Sequence, residues 1–333
     1  MKLSHRTAPA APIYGIDFTS APTARKPITC AHAALTGDRL AIKRIESWPS
    51  FRELESFLQR KGPWRAGFDF PFSQPRCLLE YLCHAHDWES AVKWLTDGRT
   101  RKEFERIFDE YKAERPEGDK HHMRATDTAA ESCSPMMFYG VPVAKMFFEG
   151  APRLFKSGIS ILPVRPRPGE TRVAVEAYPK LVAQRYAAHG KYKSDDSKKH
   201  TKDLRATRER ILTGLQTHAP RDYGLHVQIP DAIRTAAIKD ETGDTLDAIL
   251  CALQAAWSHR HTDPPNGIPP TADKLEGWIA DPTLVFSEKS ATMDIKVACH
   301  CEANSRAADS QLDDSVFFRK VHVVQTGGND GSV

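Results

Sequence analysis

The chain contains no Cys-x-x-Cys pair among its seven cysteines (Cys30, Cys77, Cys83, Cys133, Cys251, Cys299 and Cys301), and their odd number argues against a disulfide framework. It has no apolar run near the roughly 18 residues needed to cross a bilayer, so no membrane partner is expected. Met1 to Pro12 carries basic residues with no apolar core behind them, which excludes a secretory signal and points to a cytoplasmic protein with reduced thiols. No Gly-x-Gly phosphate loop occurs outside the C-terminal tail, which weighs against an actin-like phosphotransferase. Net charge is only +4 over 333 residues, too little by itself to claim a nucleic-acid partner.

What is present is a series of single acids inside apolar, strand-like runs. Asp17 lies in Ile13-Tyr14-Gly15-Ile16-Asp17-Phe18, Asp69 in Ala66-Gly67-Phe68-Asp69-Phe70-Pro71, and Glu176 in Val173-Ala174-Val175-Glu176-Ala177-Tyr178-Pro179. A further pair, Asp244 and Asp247, opens an apolar helix. An ionised carboxylate in an apolar strand is costly unless it is paired or coordinated. Three such acids and an acidic helix start therefore predict a carboxylate cluster that binds divalent metal.

Each acid also has a plainer reading. Asp17 fits a turn at a strand end. Asp69 fits a surface acid or a partner of Arg65, and Glu176 an exposed strand residue. Asp244 follows Gly243 and reads equally as an N-cap. Gly15 removes side-chain bulk beside Asp17 and leaves room for a ligand. On the closing helix, Leu246, Ile249, Leu250, Leu253 and Trp257 form the apolar stripe; at about 100° per residue Asp247 sits at its edge and Asp244 nearly opposite.

The order of elements predicts an α/β fold. Strands are expected at about 12–19, Ile28–Leu35 and Arg39–Ile45, then a helix to about Arg60, then a strand bearing Asp69. Residues 74–165 form a long insertion with helices at Arg76–His84, Trp88–Leu95 and Lys102–Tyr111, and a polar loop or lid from Arg115 to Met137. A fifth strand carries Glu176, and the main closing helix runs from Asp244 to His259. Residues 1–11 read as a disordered lead-in, 12–286 as one domain, and 287–333 as a loosely attached tail.

Basic charge is concentrated in two stretches. Residues 189–210 hold eight Lys or Arg against four acids, and residues 145–172 hold six against two. Such stretches bind phosphate backbones or simply form solvated faces. Lys198, Lys199 and Lys202 are candidate substrate contacts in the first. Tyr186 and Tyr192 could stack bases or serve in packing. Arg124, in Arg124-Ala125-Thr126-Asp127, is a candidate for a scissile phosphate, with an Arg124–Asp127 surface pair as the alternative. Cys83-His84-x-His86 and Cys299-His300-Cys301 lack the spacing of a zinc site.

The layout resembles the ribonuclease H-like fold: a mixed five-stranded sheet flanked by helices, here with a helical insertion after strand four. More closely, Gly15-Ile16-Asp17, Phe68-Asp69-Phe70-Pro71, Val175-Glu176-Ala177-Tyr178-Pro179, Asp244-x-x-Asp247-Ala248 and Glu276-Gly277-Trp278-Ile279 resemble the motif series of the DUF429 family, described as predicted nucleases with that fold. The resemblance implies Asp17, Asp69, Glu176, Asp244 and Asp247 as site residues. It implies two Mg²⁺ or Mn²⁺ ions activating water and stabilising the leaving oxygen in phosphodiester cleavage. A non-catalytic nucleic-acid-binding module on the same fold is the alternative.

Overall fold

The structure is a computed structural model and describes residues 10–187 and 190–285. The expected lead-in up to residue 9 and the expected tail lie outside the described residues, as does Cys299-His300-Cys301.

Strands β1 (Ala11–Asp17), β2 (Ile28–Thr36) and β3 (Arg39–Trp48) form an antiparallel meander. Helix α1 (Phe51–Leu58) follows, its first turn closed by Ser50, whose hydroxyl accepts from Arg52 N at 3.2 Å. It crosses back to β4 (Trp64–Phe68), which lies parallel to β1. The insertion holds α2 (Arg76–Cys83), α3 (Trp88–Thr96), α4 (Arg101–Ala113), a one-turn α5 (Ala125–Ala129) and α6 (Val143–Ser157). Next come β5 (Ser160–Leu162), β6 (Arg172–Glu176), α7 (Pro179–Ala187), α8 (Lys202–Asp222), β7 (His226–Gln228), α9 (Asp231–Lys239), α10 (Asp244–Arg260) and a last turn, α11 (Pro282–Val285).

The sheet has seven strands rather than five, in the order β5-β6-β4-β1-β2-β3-β7. The two additional strands, β5 and β7, pair in parallel at opposite edges and have three residues each. Three residues are too few for an alternating pattern to stand out in a sequence. The segment expected to be a polar loop or lid contains α5, with Arg124, Thr126 and Asp127 all buried. No helix among the described residues is long and apolar enough to cross a membrane.

Both sheet faces are covered. Side chains alternate between faces along a strand, so Ile16, Ala66, Phe68 and Ala174 pack into one core with α1 and the insertion helices. Ile13, Ala31, Ala33 and Val175 pack into the other with α7, α8 and α10. Helix α10 is buried on every side from Leu246 to Ser258, so its apolar stripe widens to the whole circumference.

Glycine allows α10 to lie this close. A Cβ on Gly15 would fall 2.0 Å from Ala248 O, and one on Gly67 would fall 2.5 Å from Cys251 O. The space beside Gly15 therefore belongs to the helix backbone and not, as the sequence implied, to a ligand. The same close approach brings the first turn of α10 against the ends of β1 and β4.

Candidate metal centre

Asp17 is the last residue of β1, on the same face as Gly15. Asp69 follows β4 on the same face as Gly67, its amide donating to Ile16 O at 3.0 Å. Asp247 is in the first turn of α10, where the positive end of the helix dipole favours a carboxylate. One carboxylate oxygen from each of these three residues lies within 4.8 Å of the others. Asp17 and Asp69 are half-buried and Asp247 is fully buried. Among the described residues this is the one group of three or more potential metal-ligating side chains, so Cys83, His84 and His86 do not form another.

The electrostatics are those of crowded acids. Burial, then the Asp247 charge, pushes the Asp17 carboxyl well above the usual carboxylate range. Burial raises Asp69 to about 7, with Lys193 opposing the rise and Asp247 adding to it. Among the described residues one cation, Lys193, is paired with the trio, through Asp247. Lys193 Nζ contacts Asp247 Oδ2, and the Tyr192 hydroxyl donates to Asp247 Oδ1 at 2.7 Å. The Lys193 side chain keeps 41% of its exposure while Asp247 keeps none. The ammonium thus reaches in from solvent and stands where a cation is needed. Hard oxygen donors at this spacing suit Mg²⁺ or Mn²⁺.

Asp244 flanks the trio, and its charge also raises Asp17. Its own carboxyl is raised, first by burial and then by Asp240. It is not the N-cap. The N-cap residue is Gly243, and the Asp240 carboxylate closes the helix start from outside, accepting from Thr245 N at 2.7 Å and Gly243 N at 3.3 Å.

Glu176 is not brought into the trio. Its register partner is Phe68, so its side chain points to the insertion face, opposite to Asp17 and Asp69. There it accepts from Arg124 Nη2 at 2.6 Å, from Arg124 Nη1 at 2.9 Å and from Phe72 N at 2.9 Å. Burial raises its carboxyl and Arg124 opposes the rise.

Arg124 is fully buried rather than at the surface. It makes two bonds to Asp127, both 2.8 Å, besides those to Glu176, and a fifth to Glu276 O at 3.0 Å. All its N–H groups face protein acceptors, leaving none directed at a substrate phosphate. Arg65 likewise pairs with Ser258 and Asn266, not Asp69.

The basic stretches divide. In 145–172, Lys145 pairs with Glu105, Arg153 with Glu55 and Glu149, Arg165 with Glu89, and Arg172 with Glu170. That stretch is largely neutralised within the molecule. In 189–210, Arg208 is buried against the carbonyls of Tyr192 and Ile238. Lys198 and Lys202 are exposed, and Lys199 is exposed with a 3.4 Å pair to Asp196. Tyr186 packs under Gly214 and donates to Asp222.

Sequence reasoning missed Lys193 as the partner of the acids and Asp240 as the residue that closes the helix start. Tyr192-Lys193, a buried aromatic beside a cation at the start of a basic run, was the available signal. The Asp240-x-Thr242 step before the helix signalled that closure.

A family model described as "Protein of unknown function (DUF429)" matches residues 15–266, a span that contains Asp17, Asp69, Glu176, Asp244 and Asp247. No curated protein and no solved structure matches the chain.

Proposed function

The chain belongs to the DUF429 family, and from that premise we propose that it is a metal-dependent phosphodiesterase acting on nucleic-acid-type substrates. One observation carries the reading: three carboxylates from three separate elements converge within 4.8 Å at the strand ends, with one lysine against them. Structural acids are usually matched by fixed partners. Here negative charge is in excess at a place open to solvent.

The proposed fold is ribonuclease H-like. The inner strand order β6-β4-β1-β2-β3, parallel on one side of β1 and antiparallel on the other, supports it. So does the placing of acids after β1 and β4 and in the first turn of α10.

Asp17, Asp69 and Asp247 would hold Mg²⁺ or Mn²⁺, and Asp244 would serve a second ion. Bound divalent metal supplies Lewis-acid activation of the phosphodiester and of the attacking water. The carboxylates orient the site, and Asp17 and Asp69 must each release a proton to act as ligands. Lys193 withdraws from Asp247 toward solvent, which its exposure permits. Lys198, Lys199 and Lys202 are the proposed phosphate contacts. Glu176 acts on the site indirectly, by holding Phe72 N in the segment that follows Asp69.

The test is hydrolysis of bis(p-nitrophenyl) phosphate with added Mg²⁺ or Mn²⁺. Activity is expected with metal and lost with EDTA. An Asp17→Asn/Asp247→Asn variant that retained metal-dependent activity would sink the mechanism.

A further inference from the structure

We propose that the cavity beside the three acids takes one nucleobase, so that the substrate is a nucleotide phosphodiester presented singly, as a small nucleotide diester or at the end of a single strand, and not a stacked duplex. The inference rests on the phosphodiesterase reading above and narrows it.

The cavity measures about 440 Å³, within the range of small-molecule sites. Asp69 and Lys193 are part of its lining, so it borders the acid cluster. Phe70, Tyr178, Val141, Val143 and Met146 supply apolar and aromatic wall. A groove that only followed a sugar–phosphate backbone would be walled by basic residues. This wall suits a flat apolar group attached to a phosphate held at the acids. Val141 is 59% exposed, an apolar side chain left at the opening. The polar points are few. Gln184 offers both a donor and an acceptor to a base edge, and Lys180 and Lys191 offer charge to a phosphate.

One of the two basic stretches agrees. The stretch 145–172 would be the obvious track for a long backbone, yet four of its six cations are paired with acids of the same molecule. A base still stacked in a duplex cannot enter a pocket of this kind without first leaving the helix. Single presentation removes that cost.

Cys133 lines the same cavity and is exposed, which gives a readout on the unaltered full-length chain. Its alkylation by iodoacetamide is followed on its own peptide, with Mn²⁺ present. Adenosine 5′-monophosphate at about ten times its Kd should slow it roughly tenfold, while inorganic phosphate should not. A single-stranded oligonucleotide that protects as well identifies a strand end as an accepted source. Protection by the mononucleotide alone identifies a small nucleotide diester, whose nucleotide half the probe represents. A blunt duplex of the same sequence should give no protection.

Val141→Trp, at the exposed lip, should remove protection and leave Mn²⁺ binding unchanged. Protection that is absent for the mononucleotide, equal for inorganic phosphate, or equal for the duplex overturns the proposal. If Mn²⁺ binds through the acids and protection is absent, this inference alone fails. If the acids do not bind Mn²⁺, the phosphodiesterase reading fails.

Discussion

Two charge clusters border the same cavity, one through Arg124, Asp127 and Glu176 and the other through Asp69 and Lys193, and are built on opposite principles. Around Arg124, one guanidinium faces two carboxylates, Asp127 and Glu176, and each of its N–H groups has a protein acceptor within 3.0 Å. Around Asp247, three carboxylates face one half-exposed ammonium. The first cluster is complete and ties the insertion to β6 and to the segment at Glu276. The second is left with more negative than positive charge. Burial of an acid therefore does not by itself mark a site; the count of fixed partners around it does.

Breaking the complete cluster should have the largest effect on folding. Arg124→Ala leaves Asp127 and Glu176 buried without their cation, a loss of about 3–5 kcal/mol by the general cost of orphaned buried charges. Urea denaturation measures it. Asp17→Asn, by contrast, relieves repulsion and should leave stability equal or higher. Similar losses in both variants would erase the distinction between the clusters.

Next is the packing that assembles the acidic cluster. Gly15→Ala places a methyl 2.0 Å from Ala248 O, a backbone atom of α10. The helix must shift, at a cost of at least about 1–3 kcal/mol, and Mn²⁺ affinity should fall with it. A variant with a weakened fold and unaltered metal affinity would show that α10 does not set the site.

The pH response distinguishes the acids further. Asp69 titrates near 7 in the folded chain and near 3.8 in the unfolded one. A raised carboxyl pKa means that the folded state holds the proton more tightly. Its contribution to metal-free stability is therefore fully present below about 3.8 and is lost as pH rises toward 7. Mn²⁺ competes with that proton, so Asp69 alone should make affinity rise up to about tenfold per pH unit below 7, and the raised Asp17 carboxyl adds to the rise. Calorimetry at several pH values tests both trends. A flat affinity between pH 5.5 and about 7.5 would remove Asp69 from the ligand set.

The smallest effect sharpens the role of the lysine. Lys193→Met removes the ammonium that contacts Asp247. Mn²⁺ should then bind a few-fold more tightly, an effect of about 1 kcal/mol or less for a half-exposed pair. Metal-free thermal stability should drop slightly. Weaker Mn²⁺ binding would make Lys193 a support of the site and not a competitor for it.

Much of this contrast was legible in the sequence. Asp17, Asp69 and Asp247 stood out because a lone acid at the end of an apolar strand or in a buried helix has few reasons to be there. The helices Arg76–Cys83, Trp88–Thr96, Arg101–Ala113 and Asp244–Arg260 lie where the sequence placed helices, to within one or two residues at each end. Helix Val143–Ser157 was not anticipated; it contains Gly150 and Pro152, which obscure the helical pattern. Glu176 was misplaced because alternation separates it from Val175 and Ala177, but with helices on both sides that fact does not select the face of the acid trio. Its register with Phe68 does, and register comes from tertiary pairing. The reading of Gly15 as ligand space failed for a related reason: a strand glycine signals close approach without naming what approaches. The Arg124 network joins residues 52 and 152 positions apart in the chain, beyond any local pattern.

The account's central claim is that the unbalanced acids bind divalent metal. Calorimetric titration of Mn²⁺ into the full-length chain and into Asp17→Asn/Asp247→Asn, at a pH above 7, tests it most directly. Wild type should show saturable binding and the double variant none, with equal folding by circular dichroism. Equal Mn²⁺ binding by both, or none by either, would contradict the claim.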